Sequence, residues 1–255
     1  MQISLIITLL LNLTIILGFV VYSFLLKKQE EETYITNQDN IVKEPSSGVH
    51  THTMIFIHGL GTAPELYEES LKKMDIIKRN TTKIIYLRAP TQNITCYGGI
   101  SDLSWFDIYY MPLNSSSAVN LEEFKKASDY LYNEIKKEAE ILEGHFDKII
   151  IGGHSQGGCL SLSTAYSMEE MIGGVISFSG VLFPEIEIKP GKEKLNVYYA
   201  YGDADTLIIP SLFEDYIERI KDYEGFKKYV YPNHKHSIIK DEKDDAQEFI
   251  NKIME

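Results

Sequence analysis

The sequence predicts an α/β fold, a mostly parallel central sheet covered by helices on both faces, preceded by an N-terminal transmembrane helix. Three observations carry that expectation. From Thr53 to the C-terminus, short runs rich in Val, Ile, Tyr and Phe alternate with longer amphipathic stretches, the order of a βαβ architecture. The short runs are nearly continuous in apolar residues, as strands covered on both faces require. Ahead of them, Ile3 to Leu26 contains no charged side chain.

That first segment, "ISLIITLLLNLTIILGFVVYSFLL", passes the length test of about 20 apolar residues for crossing a hydrocarbon core. Its tip "MQ" has no basic residue and "FLLKKQEEE" offers no small-residue cleavage site, so an uncleaved anchor over 1–26 fits better than a removed signal. Lys27 and Lys28 follow the span and no Lys or Arg precedes it. The positive-inside tendency then makes this a single-pass membrane protein with its folded domain on the cytoplasmic side. The glycosylation sequons at Asn80, Asn93 and Asn114 point the other way. Residues 27–50 are polar, charged and interrupted by Pro45 and Gly48, the composition of a tether. Residues 51–255 form the expected α/β domain.

Within that domain the first strand, 53–58, runs into His58-Gly59-Leu60-Gly61, and a helix over 65–79 leads to a strand over 83–88. A long helix over 121–142 precedes the strand 148–153, which ends in Gly153-His154-Ser155-Gln156-Gly157 and a helix over 156–168. A strand over 174–180 follows, then one over 196–202 closed by Gly202-Asp203-Ala204-Asp205. A helix over 211–223, a strand over 227–232, the loop Asn233-His234-Lys235-His236 and a helix over 242–254 complete the chain. Reactive side chains thus follow strand ends four times, where the ligand crevice of such a sheet lies.

The formal net charge of −12 argues against nucleic acid as a partner, because phosphate binding needs clustered Lys and Arg. Cys96 and Cys159 are too few and too far apart for a disulfide scaffold or a zinc site. There is no Walker loop, no H-E-x-x-H and no dinucleotide fingerprint, so no cofactor or metal is expected.

The G-x-S-x-G spacing around Ser155 fits a strained strand-to-helix elbow that exposes a serine hydroxyl. A Gly-rich turn with an idle serine has the same letters. What separates the two is the company: a serine needs a base to take its proton and a carboxylate to orient that base, in the order Ser, acid, His along a chain of this type. Asp205 suits the acid better than Asp203, which is placed to cap its turn or bind loop backbone. Only His234 and His236 follow Ser155, and spacing leaves both open as the base. Two backbone N–H groups are needed to receive an oxyanion; Gln156 supplies one and Leu60, between two glycines, the other. His58 supports that loop, and Cys159, one turn past Ser155, packs as a small apolar side chain.

"IFIHGLG", "RAPTQNITCYGG", "SWFDI", "GGHSQGGCLSLSTA", "GDADTLIIP" and "HKHSI", in this order, resemble the acyl-protein thioesterase and carboxylesterase family of α/β-hydrolases, also described as phospholipase/carboxylesterase. The resemblance implies an α/β-hydrolase fold, with Ser155 as nucleophile, Asp205 as acid, Leu60 and Gln156 as oxyanion donors, and His236 as base because it precedes Ser237. It also implies that "TQNITCYGG" borders an acyl-chain channel. Two departures stand out: Thr62 replaces the acidic residue that often follows HGLG, and His154 stands where an aromatic is common. The implied partners are an acylated protein or lipid substrate and a membrane reached through the N-terminal helix. A carboxylesterase of small soluble esters, or a catalytically silent acyl-binding member of the fold, are the alternatives.

Overall fold

Residues 16–17, 21, 39–74 and 80–254 are described by the computed structural model. In chain order the elements are β1 (Ile41–Lys43), β2 (His52–Ile57), α1 (Pro64–Leu71), β3 (Thr82–Leu87), β4 (Thr91–Ile94), β5 (Ile100–Leu103), α2 (Leu121–Ile141), β6 (Ile149–His154), α3 (Gln156–Ser167), β7 (Gly174–Phe178), β8 (Val197–Gly202), α4 (Pro210–Ile217), β9 (Phe226–Tyr231) and α5 (Lys240–Ile253). Seven strands form one sheet in the order β1-β3-β2-β6-β7-β8-β9. All neighbours run parallel except β1, which pairs antiparallel with β3.

Both faces of the sheet are covered, which explains the continuous apolar runs. Met54 and Phe56 of β2, with Ile84 and Tyr86 of β3, Ile176 and Phe178 of β7 and Tyr198 of β8, pack with Tyr67 and Leu71 of α1 and Phe249 and Ile250 of α5. The intervening residues point to the opposite face because strand side chains alternate; there α3 packs on β6, β7 and β2 and is itself covered by α2. Asn120 caps α2 by accepting from the Glu123 N–H at 3.2 Å, with Glu122 and Glu123 in the first turn, where the helix dipole favours acid. Phe124, Ala127, Leu131 and Ile135 form its buried stripe.

The six parallel strands and five helices stand where expected, with two helices shorter: α1 ends at Leu71 and α4 at Ile217. Part of the expected 65–79 helix lies outside the described residues. Two features are additional. Ile41–Lys43, inside the stretch expected as a tether, adds the antiparallel edge strand, with Ile41 opposite Tyr86. Polar "TQNI" and "ISDL" pair as the β4–β5 hairpin.

The transmembrane anchor expected over 1–26 is corrected: among the described residues no helix is long and apolar enough to cross a membrane. An uncharged run satisfies a length count, but spanning needs a long helix apolar all round. The 21-residue α2 is long enough yet carries Lys and Glu on its open face. Most of 1–26 lies outside the described residues. The single-pass location, the cytoplasmic placement of the domain and the membrane as a partner all depended on that anchor and are withdrawn with it.

Candidate active site

The link from β6 to α3 is sharp. Ser155 has φ +56° and ψ −118°, a sparsely populated conformation that costs on the order of 1–3 kcal/mol and persists only where the surroundings impose it. Its N–H donates to the Phe178 carbonyl at 2.9 Å, so the adjacent strand β7 holds it. A Cβ on Gly157 would run into the Ile57 carbonyl, and one on Gly153 into Gly157 backbone. Strand, elbow and helix therefore approach this closely only with glycine at both positions. α3 begins at Gln156, so its unpaired N–H groups and the positive end of its dipole lie beside the serine.

At the end of β8, the Asp205 Oδ1 accepts from the Leu207 and Ile208 N–H groups at 2.8 and 3.0 Å. Oδ2 lies 2.6 Å from His236 Nδ1. Because a carboxylate accepts, Nδ1 carries the proton of the neutral ring and Nε2 keeps a lone pair. The two side chains are almost entirely enclosed, with exposures of 0 % for Asp205 and 8 % for His236. Asp203 does what its position suggested: its Oδ1 accepts from the Asn233 N–H at 2.6 Å, and Ala204 N–H donates to the His234 carbonyl at 3.0 Å. The acid turn and the histidine loop are thus one fixed unit. His234 is not bonded to Asp205; its Nε2 lies 2.7 Å from the Ser237 carbonyl and 3.5 Å from the buried Glu242 carboxyl.

The His154 ring lies tilted against that of His236, with centroids 5.0 Å apart. Its Nδ1 lies 2.8 Å from the Tyr67 hydroxyl, which accepts the Gly59 N–H at 3.3 Å, while Nε2 is buried with no hydrogen-bond partner among the described residues. Burial, reinforced by His236 and His234, pushes His154 down to about 3. It is therefore neutral at physiological pH and places no positive charge against its neighbour.

The opposite flank is built from backbone. Neither Leu60 N–H nor Gln156 N–H donates to a described backbone acceptor outside regular elements. The loop carrying Leu60 presses on the elbow: a Cβ on Gly59 would meet Ser155 Cβ and the His154 carbonyl at 3.3 Å. His58 is 1 % exposed and burial pushes it down to about 4. The Gln156 side chain proves as useful as its amide: Oε1 accepts the Trp105 N–H at 3.0 Å and Nε2 donates to the Phe106 carbonyl at 2.6 Å. It fixes the 104–106 segment, and Trp105 Nε1 in turn donates to the His58 carbonyl at 2.9 Å. The Tyr67 and Gln156 side-chain contacts were not foreseen. Tyr67 and His154 lie 87 positions apart, and no local spacing signals such a pair.

Among the described residues no group of His, Cys, Asp and Glu side chains could hold a metal ion. Cys159 is buried, its Sγ accepting the Val181 N–H at 3.2 Å, and burial pushes its thiol up to about 12. It is unsuited to nucleophilic chemistry.

With this geometry in view, comparison with known proteins is informative. The family described as Phospholipase/Carboxylesterase matches residues 37–254. Acyl-protein thioesterase 1 of Debaryomyces hansenii is 31% identical over 213 residues, 79% of this chain and 90% of that protein. Acyl-protein thioesterase 1 of Saccharomyces cerevisiae is 31% identical over 217 residues, 79% of this chain and 92% of that one. The crystal structure of Zea mays acyl-protein thioesterase 2 superposes with a TM-score of 0.70 at 18% identity, covering 85% of this chain and 99% of that one. That structure speaks to the fold; the family match and the two yeast relatives speak to the chemistry. The chain belongs to the phospholipase/carboxylesterase family of α/β-hydrolases, and it is a serine hydrolase of carboxylic esters and thioesters.

Proposed function

We propose that this hydrolase removes fatty acyl groups from acylated proteins through an acyl-enzyme on Ser155, and cleaves lysophospholipid esters by the same chemistry. The observation that carries the chemistry is the 2.6 Å contact of His236 Nδ1 with Asp205 Oδ2, in loops that end on the same edge of the sheet as the Ser155 elbow. Ser155 Oγ attacks the acyl carbonyl carbon while His236 Nε2 takes its proton, and the Asp205 carboxylate stabilises the imidazolium that forms. Leu60 and Gln156 N–H groups receive the negative charge on the former carbonyl oxygen. The tetrahedral adduct collapses, the thiolate leaves with the proton from His236, and an ester to Ser155 remains. Water, deprotonated by His236, then attacks that ester and releases the fatty acid and free Ser155.

The substrate reading rests on the names of the yeast relatives, acyl-protein thioesterases, and on apolar surface beside the oxyanion loop. Gly61 N–H donates to the Leu103 carbonyl at 2.9 Å, which ties the β4–β5 hairpin to that loop, and the hairpin leaves Tyr97 and Ile100 exposed at 43% and 66%. Two measurements test the proposal. A fluorophosphonate probe labels the wild type and leaves Ser155→Ala unlabelled; equal labelling overturns the acyl-enzyme on Ser155. Hydrolysis of an S-palmitoylated peptide proceeds with higher kcat/KM than hydrolysis of its acetyl counterpart; a preference for acetyl makes the protein an esterase of small esters instead.

A further inference from the structure

The proposed oxyanion donor Leu60 N–H belongs to the Gly59–Leu60 peptide, whose carbonyl is held by side chains. The Gly59–Leu60 unit is trans and planar, so its C=O and N–H point in opposite directions, and whatever holds the carbonyl aims the N–H. Three donors converge on the Gly59 oxygen. Thr62 Oγ1 donates at 2.7 Å, Thr62 N–H at 3.3 Å, and His58 Nδ1 lies 2.8 Å away. The tautomer of His58 follows from its second contact. Ala89 N–H donates to Nε2 at 2.9 Å, so Nε2 accepts and Nδ1–H is free to donate to Gly59.

We propose that Thr62, together with His58, is a positioning residue for the hydrolysis, locking the Gly59–Leu60 peptide so that Leu60 N–H stays available to the developing oxyanion at the Ser155 elbow. The inference rests on the acyl-enzyme reading above. The flipped peptide would present a carbonyl oxygen to a developing negative charge, so the locked orientation matters most in the transition state. Thr62 stands where the family often has an acidic residue. A carboxylate there would accept hydrogen bonds and have no proton to give Gly59, so the hydroxyl donor, though not the His58 and backbone donors, is a feature of this chain.

His58→Ala would strand the Ala89 N–H in a buried site and endanger folding, so Thr62 carries the test. Thr62→Val keeps the shape and removes the hydroxyl. The expected result is a kcat about 3- to 10-fold lower, the range for loss of one hydrogen bond, with KM nearly unchanged. Affinity for a trifluoromethyl ketone, which adds to Ser155 as an oxyanion, falls by a similar factor, and Thr62→Ser restores both. Thr62→Val with wild-type kcat and wild-type ketone affinity overturns the inference, as does a loss confined to melting temperature. Its failure is distinct from failure of the parent reading: only the latter shows as equal fluorophosphonate labelling of the wild type and Ser155→Ala.

Discussion

The two flanks of the elbow are built from different materials. On the proposed acid–base flank the proposed working contact joins two side chains, Asp205 and His236, at 2.6 Å, and the main chain serves as scaffold through the Asp203–Asn233 and Ala204–His234 bonds. On the oxyanion flank the proposed working groups are main-chain N–H donors, and side chains are the scaffold: Thr62 and His58 hold the Gly59 carbonyl, Trp105 holds the His58 carbonyl, and Gln156 holds Trp105. Where side chains react, residue identity is decisive; where backbone reacts, identity is decisive one contact further out.

The largest expected effect breaks the first flank. Asp205→Asn puts an amide where Nδ1–H needs an acceptor, and an amide turned to donate forces the ring into the wrong tautomer. A fall in kcat of about 10⁴-fold is expected, with the fold intact. Leu60→Ala, by contrast, keeps the N–H and leaves kcat within roughly 2-fold of wild type, because the proposed oxyanion site uses no atom of that side chain. Steady-state kinetics on one thioester settles the pair. A large loss in Leu60→Ala, or none in Asp205→Asn, would erase the distinction between the flanks.

Gln156 serves the oxyanion flank twice, as proposed N–H donor and as side-chain scaffold, and gives the next effect in size. Gln156→Ala retains the proposed oxyanion N–H but removes one hydrogen bond from the Trp105 N–H and one of two that the Phe106 carbonyl accepts, the other coming from Ser104 Oγ at 2.7 Å, at a site 2% exposed. A buried hydrogen bond contributes about 0.5–1.5 kcal/mol, so with two lost, urea unfolding should report a loss of about 1–3 kcal/mol. Because Trp105 holds the His58 carbonyl, kcat should also fall by roughly 10-fold. Unchanged stability would show that the 104–106 segment is held by other contacts.

The same difference in materials explains what the letters reveal. The candidate triad Ser155, Asp205 and His236 stood out in the sequence because proton transfer demands particular residue types at strand ends, and the parallel strands because burial on both faces demands continuous apolar runs. Tyr67 and the Gln156 side chain did not, because their partners are fixed by folding and carry no motif. β1 and the β4–β5 hairpin escaped for a related reason. "IVK" is three residues long, and "TQNI" and "ISDL" are half polar, so pairing with a neighbour defines them as strands. The apolar stretch at 3–26 misled in the opposite sense, since hydropathy alone does not establish a membrane-crossing helix.

The smallest effect probes the two buried histidines beside the elbow. His58 and His154 fall from the ordinary value of 6.5 to about 4 and about 3 through burial, so each folds neutral. Below pH 6.5 the unfolded chain binds a proton at each position before the folded protein does. Their contribution is therefore fully present above pH 6.5 and is lost as pH falls toward 4, at about 1.4 kcal/mol per pH unit per histidine. The Glu242 carboxyl, raised to about 7 by burial, acts in the opposite sense, its contribution declining as pH rises from 4.5 to 7. His154→Phe removes one of the two acid-sensitive groups and leaves Glu242 in place. In urea unfolding at pH 7.5 and pH 5, the stability of wild type minus that of the variant should fall by about 2 kcal/mol at the lower pH, whatever the offset from losing the Tyr67 contact. A parallel pH dependence would mean that His154 is protonated in the folded protein, adding a charge beside His236 that the proposed acid–base flank does not accommodate.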